Sequence, residues 1–417
     1  MKKINKIILV CLLLISNAHI LKAEDDKVTR IRKEDVEIES DSIILIDMDT
    51  MSVLYEKNSN DKIAPASITK MLANLIAINK VDQNKMYKVT GDAIDNVPPN
   101  SSRLWLTYDE EVKGIELINS SLIASANDST HVLAVASSGT QEAFVKEMNN
   151  YVQKLGLKNT HFSNPSGLIE DDHYTTASDY AVIASQVFKN ELLTDIMGTN
   201  YYEMSPTNKQ SEKRKFVNGH PLVKHGKDNY EFIVGGKTGW DGKDNFTMVS
   251  YASKDDLNLL VVSLGATTRD ECSDDHINLF NYGFSNYKKI KINKNDVEPI
   301  IKEFYKGNYL ETITTFKLEN DFNLLVDYDI NENAIKTEVE LIDEESKDDI
   351  KAVLKVSIKG EYVGNLDLVK SLEEFDVSFA NTTLLKIYAV LNNISIIVLG
   401  LSILLALYKF VYKKYMI

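Results

Sequence analysis

Three short peptides carry residues that together could perform acyl transfer. They are Ser67-Ile68-Thr69-Lys70, Ser125-Ala126-Asn127 and Lys237-Thr238-Gly239, in that order along the chain. A serine hydroxyl is a poor nucleophile until a base takes its proton, and a lysine is a suitable base only when burial or nearby positive charge lowers the pKa of its amine. The three peptides supply a hydroxyl, an amine and a second cation. We therefore expect them to meet in one cleft.

In the first peptide, Ser67 and Lys70 are three residues apart. On a helix this spacing puts both side chains on one face, so the amine can reach the hydroxyl. The apolar residues that follow have the spacing of a buried helical face: Ile68, Met71, Leu72, Leu75 and Ile76. The sequence predicts a helix that begins at Ser67. By itself, the peptide also fits a helix start with Ser67 as a cap and Lys70 in solvent.

The other two peptides carry residues suited to handling a substrate. Ser125-Ala126-Asn127 follows a predicted helix, so we expect it on a loop, where Ser125 could pass a proton and the Asn127 amide could hold the substrate backbone. Lys237-Thr238-Gly239 begins a predicted strand whose exposed edge could pair with the substrate. Each peptide alone also fits an ordinary turn. The hypothesis depends on their occurrence together.

Predicted strands stand on both sides of a block of predicted helices. Strands are predicted at 42–48, 51–55, 246–251 and 257–264, and helices at 114–123, 129–137, 141–155, 177–189 and 271–287. This order predicts an α+β domain with an antiparallel sheet rather than repeated βαβ units. From about Lys289, short alternating segments predict a small all-β domain: 313–318, 322–328, 336–341 and 350–358.

The first residues have the pattern of an export signal. Lysines precede the apolar run 7–15, and Ala18 and Ala23 offer cleavage sites. The run is short for a bilayer span, so a retained anchor is the less favoured alternative. We expect the mature protein to work outside the cytoplasm.

The last residues have the pattern of a membrane anchor. The segment 387–408 is mostly apolar and is followed by lysines, which predicts a transmembrane helix with a cytoplasmic tail. An amphipathic helix on the membrane surface is the alternative, because Asn392 and Asn393 weaken the first turns. The predicted organisation is a signal peptide at 1–23, a charged leader at 24–41, an acyltransferase domain at 42–287, an all-β domain at 288–376, a linker at 377–386, a transmembrane helix at 387–408 and a tail at 409–417.

Composition and residue spacing argue against a nucleic-acid partner, a disulfide and a metal site. The net charge is −14, so nucleic acid, which needs a basic patch, is not a predicted partner. Cys11 would leave with the signal, so we expect no disulfide and a buried Cys272. The seven histidines lack paired ligand spacing, so neither a metal nor another cofactor is predicted.

The chain resembles the low-molecular-mass penicillin-binding proteins, which are serine D-alanyl-D-alanine carboxypeptidases of the peptidase S11 type. The resemblance covers about 42–284 and includes, besides the three peptides, Tyr55-Glu56-Lys57-Asn58, Ala64-Pro65-Ala66-Ser67, Asn164-Pro165-Ser166-Gly167-Leu168, His173-Tyr174-Thr175-Thr176-Ala177 and Gly235-Gly236 ahead of Lys237. It implies a β-lactamase/transpeptidase-like fold. It also implies that the enzyme removes the terminal D-alanine of peptidoglycan stem peptides through a serine acyl-enzyme, with β-lactams as substrate mimics and the membrane as anchor.

The resemblance also implies roles for individual residues. Ser67 would be acylated, Lys70 would be its base and Ser125 the third catalytic residue. The substrate-binding residues would be Asn127, Lys237, Thr238, Gly239, Trp240 and Arg269. The backbone N–H groups of Ser67 and Trp240 would form an oxyanion hole. For Arg269, a solvated surface position is the alternative to binding the substrate carboxylate.

Two departures from the family pattern concern the substrate. Ala126 stands where the family usually has glycine, so we expect its methyl group to narrow the cleft. The segment 241–245 replaces a threonine and a small-residue turn, which bears on substrate preference.

Two other functions fit parts of the pattern. A β-lactamase would need a deacylating glutamate, for which Glu170 is the nearest candidate. A noncatalytic binding module on the same scaffold is the second alternative, which the presence of Ser67, Lys70 and Lys237 disfavours.

Overall fold

The computed structural model describes residues 31–223, 229–306, 309–342 and 350–374. The chain divides into two units between Lys289 and Ile290. The predicted signal peptide, linker, transmembrane helix and tail lie outside the described residues. Within the described ranges, no helix is long and apolar enough to cross a membrane.

The first unit contains one large sheet, two small two-stranded sheets and a set of helices. Its strands are β1 (Ser42–Asp47), β2 (Val53–Lys57), β3 (Met86–Lys88), β4 (Glu111–Lys113), β5 (Tyr201–Met204), β6 (Arg214–Val217), β7 (Ile233–Trp240), β8 (Phe246–Lys254) and β9 (Leu257–Ala266). Its helices are α1 (Lys70–Ile78), α2 (Gly91–Ile94), α3 (Gly114–Leu122), α4 (Asn127–Ser138), α5 (Gln141–Lys154), α6 (Ala177–Phe188), α7 (Glu191–Gly198) and α8 (Arg269–Asn286).

The large sheet is antiparallel, with strand order β2-β1-β9-β8-β7. All six residues of β1 are buried. Ile44 and Ile46 join the main core with the helices. Leu45 points to the opposite face, because successive side chains of a strand alternate, and there it lies near Gly283 of α8. Helices therefore cover both faces of the sheet, and β7, which carries the third peptide, is left at its edge.

The block of helices packs on one face of the sheet. Helix α1 contacts α3, α4 and α6, so the helix that follows the first peptide lies inside the block. Its buried side chains include Met71, Leu72 and Leu75. Thr140 and Thr176 cap the starts of α5 and α6 by accepting a backbone N–H. The prediction of an α+β domain with an antiparallel sheet is confirmed.

Three local predictions about the site peptides differ from the structure. The third peptide lies at the end of β7 (Ile233–Trp240) and not at the start of a strand. Ser67 lies on a 3₁₀ turn, Ala66–Thr69, and the α-helix begins only at Lys70. The preceding Ala66 has a φ of 49°, which is not compatible with a right-handed helix. The second peptide is not entirely a loop, because Asn127 is already the first residue of α4.

The second unit is built from short antiparallel strands. Its strands are β10 (Tyr287–Ile292), which crosses the division, β11 (Ile300–Lys306), β12 (Tyr309–Lys317), β13 (Phe322–Asp327), β14 (Ile335–Ile342), β15 (Lys351–Ile358), β16 (Glu361–Asp367) and β17 (Val369–Glu374). They form sheets in the orders β11-β12-β17, β14-β15-β16 and β10-β13. Phe316 and Leu354 are among the most buried side chains of its larger apolar cluster.

Candidate active site

The three peptides meet at a cleft of about 650 Å³ in the first unit. The predicted site residues that line it are Ser67, Ser125, Asn127, Lys237, Thr238, Gly239, Trp240 and Arg269. Lys70, whose amine reaches Ser67, is completely buried. Elements far apart in the sequence thus bring the predicted residues together, and the volume is in the range of small-molecule sites.

Lys70 is held close to the candidate nucleophile. Its Nζ donates hydrogen bonds to Ser67 Oγ at 3.0 Å and to the carbonyl oxygen of Ser166 at 2.6 Å. Burial, and then the charge of Lys237, lower the pKa of the Lys70 amine well below its usual value, while Asp128 opposes this shift. An amine that loses its proton readily can take the proton of Ser67.

Lys237 makes an equivalent contact with the second peptide. Its Nζ donates hydrogen bonds to Ser125 Oγ at 3.0 Å and to the carbonyl oxygen of Thr238 at 2.8 Å. Burial, and then the charge of Arg269, lower the pKa of Lys237 to about 7. Ser125 is therefore hydrogen-bonded to a group that titrates near neutral pH.

The edge strand β7 closely approaches Ser67, the candidate nucleophile. A methyl group on Gly239 would lie 2.6 Å from the Ser67 nitrogen and 2.5 Å from Thr247 Oγ1, so glycine is needed here. Because β7 pairs only with β8 among the described strands, its other edge can accept an extended peptide.

Trp240 ends the edge strand on the surface. It is 57% exposed and stacks on Phe246 with ring centroids 5.6 Å apart. Its Nε1–H donates a hydrogen bond to the Lys243 carbonyl at 2.7 Å. The segment after β7 is thereby attached to the rim of the cleft.

The family of the chain follows from sequence comparison. The model of the peptidase S11 family, described as D-alanyl-D-alanine carboxypeptidase, matches residues 28–268, which is more than half of the chain. The chain belongs to the peptidase S11 family of D-alanyl-D-alanine carboxypeptidases.

Individual relatives of this S11 family member agree with the family model. It is 31% identical to D-alanyl-D-alanine carboxypeptidase DacF of Bacillus subtilis (strain 168) over 377 residues, which cover 89% of this chain and 92% of the relative. It is 30% identical to D-alanyl-D-alanine carboxypeptidase DacA of Escherichia coli (strain K12) over 70% of this chain and 71% of the relative. Among solved structures, penicillin binding protein 5 from Haemophilus influenzae superposes with a TM-score of 0.71 at 24% identity, covering 81% of this chain and 98% of that one. This last match supports the transpeptidase-like fold.

One asparagine organises a loop at the site of this S11 family member. Asn164 Oδ1 accepts the backbone N–H groups of Ser166 at 3.1 Å, Gly167 at 2.8 Å and Leu168 at 3.1 Å. The Ser166 hydroxyl also contacts His131 Nε2 at 3.0 Å. The loop thereby presents the Ser166 carbonyl to the lysine of the first peptide. The sequence predicts no role for Ser166, although Asn-Pro-Ser-Gly is a recognisable signal for a side-chain-stabilised turn.

Unusual backbone conformations surround the candidate nucleophile, Ser67. Ala66 has a φ of 49° and Ser125 a φ of 57°, in the left-handed region that L-residues rarely adopt. Gly167 has a φ of 84°, and a methyl group there would lie 1.8 Å from the Ala66 carbonyl oxygen. Strain of this kind persists only where the surrounding packing fixes it, and it concentrates at functional sites. The turns that carry Ser67 and Ser125 are therefore fixed by their surroundings.

Asp128 is a second buried residue whose role the sequence does not reveal. It follows Asn127, and its carboxylate accepts the backbone N–H groups of Leu104 at 3.0 Å and Leu106 at 3.1 Å. Asn127 in turn donates its backbone N–H to the Ser102 carbonyl at 2.8 Å. The loop before β4 is therefore fastened to the second peptide.

The expectation that Ala126 narrows the cleft is wrong. Ala126 is completely buried in the main core and is not among the described residues that line the cleft. Its φ of −70° is one that any residue adopts, so glycine is not required at this position. The methyl group contributes to packing instead.

Arg269 and Glu170 differ in where they lie. Arg269 is exposed at the first turn of α8, lines the cleft and is close enough to Lys237 for its charge to lower the pKa of that lysine. Glu170 is exposed, accepts a hydrogen bond from Asn164 Nδ2 at 2.9 Å and is not among the described residues that line the cleft. The geometry favours a role in the cleft for Arg269 and gives none to Glu170.

Proposed function

We propose that this enzyme removes the terminal D-alanine from peptidoglycan stem peptides through an acyl-enzyme on Ser67. The observation that supports this most directly is the 3.0 Å contact between Ser67 Oγ and the buried amine of Lys70. Burial and the nearby charge of Lys237 make that amine a stronger candidate for a base than an exposed lysine, because both favour the neutral form.

In the acylation step, Ser67 Oγ attacks the carbonyl carbon of the penultimate D-alanine and its proton passes to Lys70. The bond from that carbon to the nitrogen of the last D-alanine then breaks. The departing nitrogen receives the proton that Lys70 accepted, relayed through the Ser125 hydroxyl, which is hydrogen-bonded to Lys237, and Lys70 becomes neutral again. In the second step, water attacks the ester carbon while Lys70 takes a proton from it. The bond from that carbon to Ser67 Oγ then breaks, Lys70 returns the proton to Oγ, and the shortened peptide leaves with a new terminal carboxyl group.

Substrate recognition in this proposal uses the edge of β7. An extended stem peptide would pair with β7, and its terminal carboxylate would interact with Lys237, Thr238 and Arg269. The N–H groups of Ser67 and Trp240 would stabilise the negative oxygen that develops during attack. The absence of a side chain on Gly239 supports this arrangement, because it lets the strand approach the Ser67 nitrogen.

β-Lactams would acylate the same serine. Attack on the lactam carbonyl opens the ring, and the amine that is formed stays attached to the acyl group instead of leaving. The product is an ester on Ser67 that blocks the cleft. We further propose that the enzyme is exported and held at the outer face of the membrane by 387–408, on the basis of the apolar pattern of that segment.

The decisive experiment measures D-alanine release from a short peptide ending in D-Ala-D-Ala, with wild type and Ser67→Ala compared. We expect release only by the wild type, and equal release by both would overturn the proposal. Penicillin distinguishes the alternatives. Rapid hydrolysis of penicillin with no peptide turnover would indicate a β-lactamase, and binding of the peptide without turnover would indicate a noncatalytic module.

Membrane attachment is tested separately. The full chain is expected in the membrane fraction after alkaline extraction, whereas a chain that ends before residue 387 is expected in the soluble fraction. Recovery of both in the soluble fraction would contradict the proposed anchor.

A further inference from the structure

A second cavity, of about 400 Å³, adjoins the catalytic cleft. It is lined by the loop before β4 and by the segment that ends in β6. Ser102 lines the cleft and Arg103 lines the second cavity, and likewise Val217 lines the cleft and Phe216 the second cavity. Because successive residues of two separate segments border both spaces, the two spaces are neighbours.

The second cavity is basic, although the whole chain has a net charge of −14. The carboxylate among its lining residues, Glu110, is buried and already paired with Arg214 at 2.8 Å. Lys209 and Lys215 are exposed, and Lys215 lies 3.6 Å from Glu203 at the periphery. Arg103 lies 3.9 Å from the Asp128 carboxylate, so the exposed Lys209 and Lys215 are the cations that would attract an anionic group entering the cavity. The cations that line it are Arg103, Lys209, Arg214 and Lys215.

Trp105 supplies an exposed aromatic face at this cavity. It is 61% exposed, and its φ of 60° is rare for a bulky residue. The conformation is maintained by Asp128, which accepts the N–H groups of Leu104 and Leu106 on either side of it. The guanidinium of Arg103 lies 5.2 Å from the centre of the indole ring. The contacts of Asp128 and Arg103 therefore fix the backbone at Trp105 and keep its indole ring exposed to solvent.

The same contacts connect this cavity with the catalytic peptide. Asp128 follows Asn127 directly, and Asn127 donates its N–H to the Ser102 carbonyl at 2.8 Å. Ser102 Oγ donates to the carbonyl of Ala124, one residue before Ser125, at 2.9 Å. A group bound against Trp105 would thus be positioned relative to the residues that act on the scissile bond.

We propose that this cavity binds the junction of sugar and peptide in the substrate polymer, at a distance from the D-alanine that is released. The face of Trp105 would stack on the sugar ring, and Lys209 and Lys215 would bind a carboxylate of the attached peptide. This inference rests on the proposed carboxypeptidase function. It assigns stem peptides that are attached to sugar, rather than free short peptides, as the preferred substrate.

The test uses the full chain and two substrates with the same D-Ala-D-Ala end: a short N-acetylated peptide and a stem peptide attached to its disaccharide. The variants are Trp105→Ala and the double change Lys209→Gln with Lys215→Gln. For both we expect KM for the disaccharide substrate to rise about tenfold, with kcat and the short peptide changed less than about twofold.

Each variant has a matched control at an exposed position that lines neither cavity. Tyr201→Ala, in β5, removes an exposed aromatic side chain and is compared with the tryptophan variant. The double change Lys146→Gln with Lys158→Gln removes two exposed charges and is compared with the lysine variant. Acylation of Ser67 by penicillin at the wild-type rate verifies that each protein is folded.

Two results would overturn the inference. One is an equal loss on both substrates, which would mean that the variants disturb the cleft itself. The other is no greater loss on the disaccharide substrate than in the matched controls.

Failure of the proposed function would be recognised separately, since the wild type would then release D-alanine from neither substrate. Calorimetric titration with the disaccharide peptide would still decide the role of the cavity. Weaker binding by the variants than by the controls supports the inference, and equal binding overturns it.

Discussion

Lys70 and Lys237 make the same contact in two different surroundings. Each donates a hydrogen bond to a serine at 3.0 Å. Lys70 is completely enclosed, whereas Lys237 lines the cleft and is influenced by the exposed Arg269. The surroundings of Lys70 are thus complete before substrate arrives, while those of Lys237 change when an anionic substrate enters. This difference is the one expected if, as proposed, Lys70 transfers the proton of Ser67 and Lys237 responds to the charge of the substrate.

The largest effect should come from Lys70→Ala. Without a base beside Ser67, both D-alanine release and acylation by penicillin should fall by roughly a thousandfold or more. Stopped-flow acylation with a fluorescent penicillin measures the change. Lys80→Ala, on the surface beyond the end of α1, is the control and should leave the rate unchanged. A fall of less than about tenfold would remove Lys70 from the role of base.

Lys237→Ala should lower kcat/KM by roughly a hundredfold, because the substrate carboxylate loses a cation in a protected site. It should also shift the acidic limb of the acylation rate to higher pH. Removing the charge of Lys237 removes one cause of the low pKa of Lys70, so Lys70 stays protonated up to a higher pH. Lys243→Ala, in the exposed segment after β7, is the control. An unshifted pH profile would show that the two lysines act independently.

Low pH should destabilise the folded protein through two buried histidines near Lys70. His131 contacts Ser166 and His173 contacts Thr69, each at 3.0 Å. Burial lowers the pKa of His131 to about 4 and that of His173 to about 3. Just below the usual histidine pKa of about 6.5, each of these histidines binds a proton in the unfolded chain but not in the folded protein. The free energy of unfolding is therefore not reduced by them above that pH. It then falls by about 1.4 kcal/mol per pH unit for each histidine as the pH drops towards 4.

Urea unfolding at pH 7 and pH 5 measures this loss. His131→Gln should make the loss between these pH values smaller by about 2 kcal/mol, since one of the titrating groups is removed. Lys158→Gln, at an exposed position, serves for comparison because it removes a charge without removing a buried neutral group. If His131→Gln leaves the pH dependence as large as in the wild type, His131 is not neutral in the folded protein.

Arg269→Gln should have the smallest effect. An exposed charge contributes about 1 kcal/mol or less, so KM for the peptide should rise about fivefold while kcat changes little. The pKa of Lys237 should rise, because a neighbouring cation that lowers it is removed. Titration of the Lys237 amine by NMR measures the shift. An unchanged KM together with an unchanged titration would place Arg269 outside the site.

That the three peptides form one site can be predicted from the sequence, because the proposed reaction depends on the types of their side chains. Ser67, Lys70, Ser125 and Lys237 are recognisable by residue type and spacing. Ser166 contributes a backbone carbonyl, which every residue has, so no side-chain pattern marks it. The direction of the Ala126 methyl group depends on backbone angles rather than on residue type.

The helices and strands likewise divide into those that the sequence predicts and those that it does not. Long periodic segments such as α5 and β9 agree with the sequence prediction to within a few residues, because their apolar pattern repeats several times. The two-stranded sheet of β3 and β4 is not predicted, because three residues in each strand leave too few alternations to recognise. The α7 helix is not predicted either, since it follows α6 after only two residues and has a single amphipathic stretch.

The carbonyl of Ser166 restricts how the amine of Lys70 can rotate. A neutral amine has two hydrogens and one lone pair, and a carbonyl oxygen can only accept. Once one hydrogen is committed to that oxygen at 2.6 Å, fewer rotations about the last carbon–nitrogen bond of the side chain remain favourable. Ser67 Oγ lies 3.0 Å from the same nitrogen, so the rotations that remain keep the amine beside this hydroxyl. If Lys70 is the base, as proposed, this rotational entropy is lost on folding and would not have to be lost again in each turnover.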